Sequence, residues 1–95
     1  MKKVSVLIKN PSMQYEGLRT SLGLLLEDVA VSMFVLDHEI QDFSEAYSDN
    51  LGFLEEMEGI FYSNNIANVE KYRFQYANSD KISTMLKEAE LIIPF

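Results

Sequence analysis

Three short stretches hold the side chains from which chemistry could be built. Asp37-His38-Glu39 places the only histidine of the chain between two carboxylates. A histidine in such company, with an unperturbed pKa of about 6.5, can relay protons or ligate a divalent cation. Ser63-Asn64-Asn65, with Asn68 three residues on, offers a hydroxyl and several amides to a small polar ligand. Lys9-Asn10-Pro11-Ser12 follows an apolar run and enters a helix, with Asn10 as N-cap and Pro11 at the first helical position, Ser12 being the rival cap.

None of the three completes a catalytic constellation. Neighbours along a chain do not automatically converge in space, and no second histidine or cysteine adds ligands to His38, so a solvated or hydrogen-bonded loop histidine outweighs a functional one. The polar residues around Ser63 are the types that cap helices and form turns, and capping is the favoured role. Ser63 lacks the glycine elbow of a hydrolase nucleophile, which excludes a triad. The loop after Ile8 is not glycine-rich, and Gly17 and Gly23 fall inside a helical pattern, where close packing explains them better than a nucleotide fingerprint. The residues therefore imply no enzyme, no metal site and no cofactor. Asn10, Asp37, His38, Ser63, Asn64 and Asn65 remain as candidates for ligand binding, because each sits where a strand hands over to a helix, the edge at which open α/β sheets hold ligands.

The elements that would position these groups are legible from periodicity. Gly17 to Leu36 reads as an amphipathic helix, a two-residue acidic turn (Glu27-Asp28) and an apolar strand over Val29 to Leu36. Leu18, Leu22 and Leu25 recur at i, i+4 and i+7 with Ser21 on the same stripe. Leu24 falls opposite that stripe and Leu26 at its edge, which points either to an oligomer contact or to a thick core around Leu26 with Leu24 exposed. With Val4 to Ile8 upstream, the stretch makes a strand, helix, strand unit of the kind that builds parallel sheets by right-handed crossovers. Ile40 to Tyr47 fits a helical segment, Ser48-Asp49-Asn50 a turn, and Phe53, Leu54 and Met57 the stripe of a second helix ended by Gly59. Glu55, Glu56 and Glu58 read as a solvated face rather than a cation patch. Ile60 to Ser63 is a short strand, followed by two helical turns to Tyr72. A strand over Arg73 to Tyr76, a helix over Lys81 to Glu90 and a terminal strand Leu91 to Ile93 complete the chain, with Pro94 ending the pairing or lying on a free edge. The expectation is an α/β fold: residues 1–95 as a single three-layer domain with a mostly parallel sheet of four or five strands.

Composition bounds the function. Ninety-five residues make one domain, and 47% hydrophobic content argues against disorder, while no apolar run approaches the ~20 residues of a membrane span. A formal charge of −7, with eight basic residues scattered along the chain, disfavours nucleic acid and anionic membranes as partners. Met1-Lys2-Lys3 runs into a strand without a signal-peptide core, so the expected compartment is the cytoplasm. The absence of cysteine excludes disulfides and thiolate chemistry.

The segments GLRTSLGLLLEDVAVSMFVLDHEI, GIFYSNN and KEAELIIPF together resemble the DsrE/DsrF-like family of small sulfur-relay proteins across nearly the whole chain. The resemblance implies a flavodoxin-like domain that assembles as a trimer or hexamer. It also implies that active relatives carry persulfide sulfur on a cysteine in the loop that here reads Ser63-Asn64-Asn65-Ile66. A serine hydroxyl cannot form a persulfide, so the resemblance points to a non-catalytic structural or regulatory subunit, either a homo-oligomer or beside a cysteine-bearing DsrE-like relative. The alternative is a small-molecule-binding homo-oligomeric domain with its site in the loops at the strand carboxyl ends.

Overall fold

In the computed structural model, which describes residues 2–95, strand and helix alternate throughout the chain. The order is β1 (Lys3–Ile8), a 3-10 turn (Pro11–Met13), α1 (Gln14–Leu25), β2 (Ala30–Val35), α2 (Glu45–Glu56) and β3 (Ile60–Ser63), then α3 (Ile66–Tyr72), β4 (Gln75–Tyr76), α4 (Ser79–Glu88) and β5 (Leu91–Pro94). All five strands run parallel, in the spatial order β4-β3-β2-β1-β5. The expected three-layer, flavodoxin-like α/β fold therefore forms, with a sheet that is wholly rather than mostly parallel.

Alternation along the strands assigns the two faces. Val6, Ile8, Val31, Met33, Val35 and Phe61 point to one side and pack under α1, α2 and α3 through Leu18, Tyr47, Leu51, Leu54 and Val69. Leu7, Phe34, Leu36 and Tyr62 point to the other and meet only α4, through Ile82, Met85 and Leu86. Phe34 and Tyr62, which are register partners across β2 and β3, stack with ring centroids 5.3 Å apart. Three successive crossovers carry the chain from β1 out to β4, and α4 then returns across the opposite face to lay β5 beside β1.

Several boundaries differ from the sequence pattern, each for a physical reason. The expected entry at Asn10 and Pro11 forms, Asn10 accepting hydrogen bonds from the amide and hydroxyl of Ser12 at 3.0 and 2.8 Å, but Pro11–Met13 is a 3-10 turn and the α-helix proper begins at Gln14. The two helices expected between Ile40 and Met57 are one. Ser44 is its N-cap, accepting from the Tyr47 amide at 3.0 Å, and Ser48, Asp49 and Asn50 lie inside it, Asp49 exposed and Asn50 half-buried beside the Tyr47–Leu54 stripe, donating to the Tyr15 hydroxyl. Phe53 and Met57, expected on the inner stripe, are exposed. Leu26 is 77% exposed whereas Leu24 packs against the core, the reverse of the expected thick core around Leu26. The left-handed turn that ends α2 falls on Glu58 (φ 67°) and not on Gly59. Gly59 is needed instead for space, since a Cβ there would lie 2.9 Å from Leu54 Cγ. Arg73, expected in a strand, takes the left-handed conformation that closes α3, so β4 shrinks to two residues. Pro94 sits on the outer edge strand. Phe95 next to it donates to the Leu7 carbonyl at 2.7 Å and accepts from Lys9 at 2.9 Å, so by alternation the missing N–H of Pro94 faces the open edge.

Tyr47 anchors α2 at 1% exposure, and its hydroxyl has no hydrogen-bond partner among the described residues. Burial pushes that hydroxyl's pKa well above its ordinary value.

Gly17 and Gly23 have opposite environments on the same helix. A Cβ on Gly17 would overlap the side chain of Ile8, which is itself fully buried and has nowhere to swing, whereas nothing lies within 4 Å of a Cβ on Gly23. Gly23→Ala is accordingly expected to raise stability by about 0.5–1 kcal/mol through helix propensity. Gly17→Ala should lower it by about 1–3 kcal/mol through overpacking. Urea midpoints at unchanged m-value would read both effects.

Candidate functional site

The carboxyl ends of β1, β2 and β3 lie side by side, and the loops leaving β2 and β3 are joined by side-chain amides. The Asp37 amide donates to Asn64 Oδ1 and Asn64 Nδ2 donates to Asp37 Oδ1, both at 2.9 Å, closing a reciprocal pair across the two loops. Asp37 is held there with φ 67°, a left-handed conformation that aspartate tolerates better than most residues. Asn68, on α3 and fully buried, spans the same two loops one layer deeper. Its Oδ1 accepts from the Ile40 amide at 2.9 Å, and its Nδ2 donates to the His38 carbonyl at 2.9 Å and to Ser63 Oγ at 3.0 Å.

Ser63 is saturated and sealed. Its hydroxyl donates to the Val35 carbonyl at 2.6 Å and accepts from the Asn65 amide at 3.1 Å and from Asn68, and the residue has no exposed surface. A group in that position cannot touch a ligand. Asn65 is likewise committed, accepting from the Ala67 and Asn68 amides as the N-cap of α3. Asn10 caps the 3-10 turn at the end of β1, outside the joined loops.

Asp37, His38 and Glu39 diverge. Asp37 turns to Asn64, and Glu39 turns to Lys71 at 3.3 Å. The His38 ring folds back so that Nδ1 lies 2.8 Å from the Leu36 carbonyl, a contact in which Nδ1 carries the hydrogen. Nε2 is buried with no partner among the described residues. Among those residues no three histidine, aspartate or glutamate side chains are gathered as a metal would require.

Of the six candidate residues, Asp37 and Asn64 line a groove. They form one end of it, a space of about 460 Å³ between α4 and the carboxyl-terminal half of the sheet. Its apolar surface comes from Leu36, Ile82, Leu86 and Ile92, and its polar surface from Lys9, Ser79, Ser83 and Lys87. Ser79, Ser83 and Lys87 follow one another at i, i+4 and i+8, a single stripe along α4 beside the apolar pair Ile82 and Leu86. Lys9 approaches from the end of β1. Sequence reasoning missed these four polar residues. The stripe of Ser79, Ser83 and Lys87 was visible in principle, but it gains meaning only when α4 is known to cross back over β1 and β2. The two ion pairs among the described residues are Lys71 with Glu39 and Arg73 with Glu55, both largely exposed and of little energetic weight. Lys9 and Lys87 take part in neither.

No helix among the described residues is long and apolar enough to cross a membrane. No protein-family model matches the chain, and no curated protein matches it.

Removing Asn68 would strip partners from the Ile40 amide and the His38 carbonyl in a buried layer. Asn68→Ala is expected to cost about 3 kcal/mol or more, the range for breaking a buried hydrogen-bond network. Hydrogen exchange at the Ile40 amide should accelerate with it, and an unchanged rate would show that the side chain does not hold the two loops together.

Proposed function

We propose that this chain is a DsrE-like protein that carries no sulfur and serves as a non-catalytic structural or regulatory subunit of an oligomeric sulfur-relay type assembly. The observation that carries this reading is the state of the loop where the resemblance places the sulfur-bearing cysteine. Ser63 stands there without exposed surface and with its hydroxyl in three hydrogen bonds, while Asn64 and Asn65 are tied to Asp37 and to the start of α3. The loop thus lacks both a thiolate and the access that group transfer would need. The resemblance along nearly the whole chain supplies the assembly, and the five-stranded parallel sheet is in keeping with it. Leu26, Phe53 and Ile66, at 77%, 55% and 54% exposure, are large apolar side chains available to subunit contacts. The compartment proposed is the cytoplasm, and the partners are further copies of the chain, in a trimer or hexamer, or a cysteine-bearing DsrE-like relative.

A second reading is favoured by the groove beside α4: a small-molecule-binding homo-oligomeric domain with its site at the strand carboxyl ends. Affinity purification of the tagged protein from its own cells, with mass spectrometry and light scattering of the intact assembly, separates the two. The sulfur-relay subunit is expected to bring down a cysteine-bearing DsrE-like relative. Recovery of a homo-oligomer alone would transfer the assignment to ligand binding.

A second test concerns the loop itself. Ser63→Cys is expected to leave a thiol that does not react with an aromatic disulfide reagent until the protein is denatured, and to cost about 1–3 kcal/mol because the buried amides lose a good acceptor. Rapid labelling of the native variant would mean that the loop opens, and that the chain differs from a sulfur carrier by one residue only.

A further inference from the structure

The groove beside α4 combines two kinds of surface along one axis, and its charge is the opposite of the protein's. The chain has fifteen acidic and eight basic residues. Of the basic ones, Lys71 and Arg73 are in ion pairs and Lys81 lies over the Tyr62 ring at 5.4 Å. Lys2, Lys3, Lys9, Arg19 and Lys87 are likewise in no ion pair among the described residues, and of these Lys9 and Lys87 line the groove. The one carboxylate at its rim, Asp37, already accepts a hydrogen bond from Asn64. Two ammonium groups beside a single carboxylate give the groove a positive sign in an otherwise acidic protein, and that favours an anionic ligand.

The rest of the lining narrows the class. From Ser79 to Lys87 the polar stripe of α4 extends about 12 Å at 1.5 Å per residue. Ile82 and Leu86 run alongside it and face Leu36 and Ile92 of the sheet side. A bare inorganic anion would leave that apolar surface wet, and a neutral hydrocarbon would leave both ammonium groups unused. The space of about 460 Å³ is in the range of sites for small organic molecules. Nucleotides fit poorly, because the loop entering α1 provides no glycine-rich cradle for phosphates.

We propose that this groove binds a small amphipathic organic anion, a free carboxylate on an apolar body, with the acid group held by Lys9 and Lys87 and the body lying on Ile82, Leu86 and Ile92. The proposal rests on the ligand-binding reading and adds the chemistry of the ligand.

Octanoate, octanol and octylammonium, below their aggregation limits, are the probes, titrated into the isotopically labelled full chain and followed by amide chemical shifts. Octanoate is expected to shift the amides of Lys9, Ser83, Lys87 and Ile92 in a saturable manner, and the other two probes to bind at least tenfold more weakly. The contrast is demanding, since a surface of net charge −7 favours the cation everywhere else. Lys9→Met and Lys87→Met, which keep the apolar stems, should each weaken octanoate about tenfold, as the loss of one charge-assisted hydrogen bond implies. Lys81→Met, on α4 but outside the groove, should leave octanoate binding unchanged. Equal binding of all three probes at these amides would overturn the anion chemistry while leaving a ligand groove in place. No shift at these amides with any probe at millimolar concentration would overturn both the proposal and the ligand-binding reading.

Discussion

A wholly parallel sheet delivers all its strand ends to one edge, where every departing loop must satisfy its backbone polar groups without a hairpin partner. In this protein the fully buried Asn68 side chain meets that requirement for two loops at once, accepting from the Ile40 amide and donating to the His38 carbonyl and Ser63. An amide side chain suits the position because it offers donors and an acceptor from one planar group. Ser63 and the Asp37–Asn64 pair extend the same solution outward. The result is a rigid join between the β2 and β3 loops made from side chains whose types look, in isolation, like those of a binding site.

That join governs where open space remains. Three helices cover one face of the sheet, so the carboxyl ends of β2 and β3 are closed on that side by α3 and by the segment between β2 and α2. The other face has α4 alone. Space therefore persists beside α4, where Asp37 and Asn64 form a rim and where Lys9 and Lys87, from elements far apart in the chain, both line the groove. Ile60 and Ile92, at 39% and 41% exposure, show how incompletely a single ten-residue helix covers a five-stranded face.

The fold was legible because its signals are local. Apolar runs marked β1, β2 and β3, and Asn10 and Asn65 marked helix starts by residue type. Legibility failed where polarity and periodicity pulled apart. Ser48-Asp49-Asn50 looks like a turn but lies inside α2, and Ile40 and Phe43 match a helical period while packing from an irregular segment. The site was less legible. Asp37 and Asn64 are candidates from the sequence and do meet, yet the burial of Ser63 depends on Asn68 of α3 and on the Val35 carbonyl of a neighbouring strand, long-range contacts that residue type alone does not encode. Lys9 and Lys87 line one groove only through the return of α4, a property of topology.

That return also sets an order of events during synthesis. β1 acquires β2 as a neighbour once residues 30–35 have emerged, but its other edge pairs with Leu91–Pro94, and the Lys3 amide reaches Glu90, 87 positions away. Until β5 is made, the central strand β1 is itself an open edge of the kind that recruits foreign strands, whereas afterwards the edge is the short β5, which ends in a proline. Closing the β1 edge is the longest-range step in the topology and thus among the slowest. The groove beside α4 is completed by the same step, since Ile92 belongs to the closing strand. A molecule resting there would hold the last-formed part of the fold in place, tying occupancy to protection of the chain against mispairing.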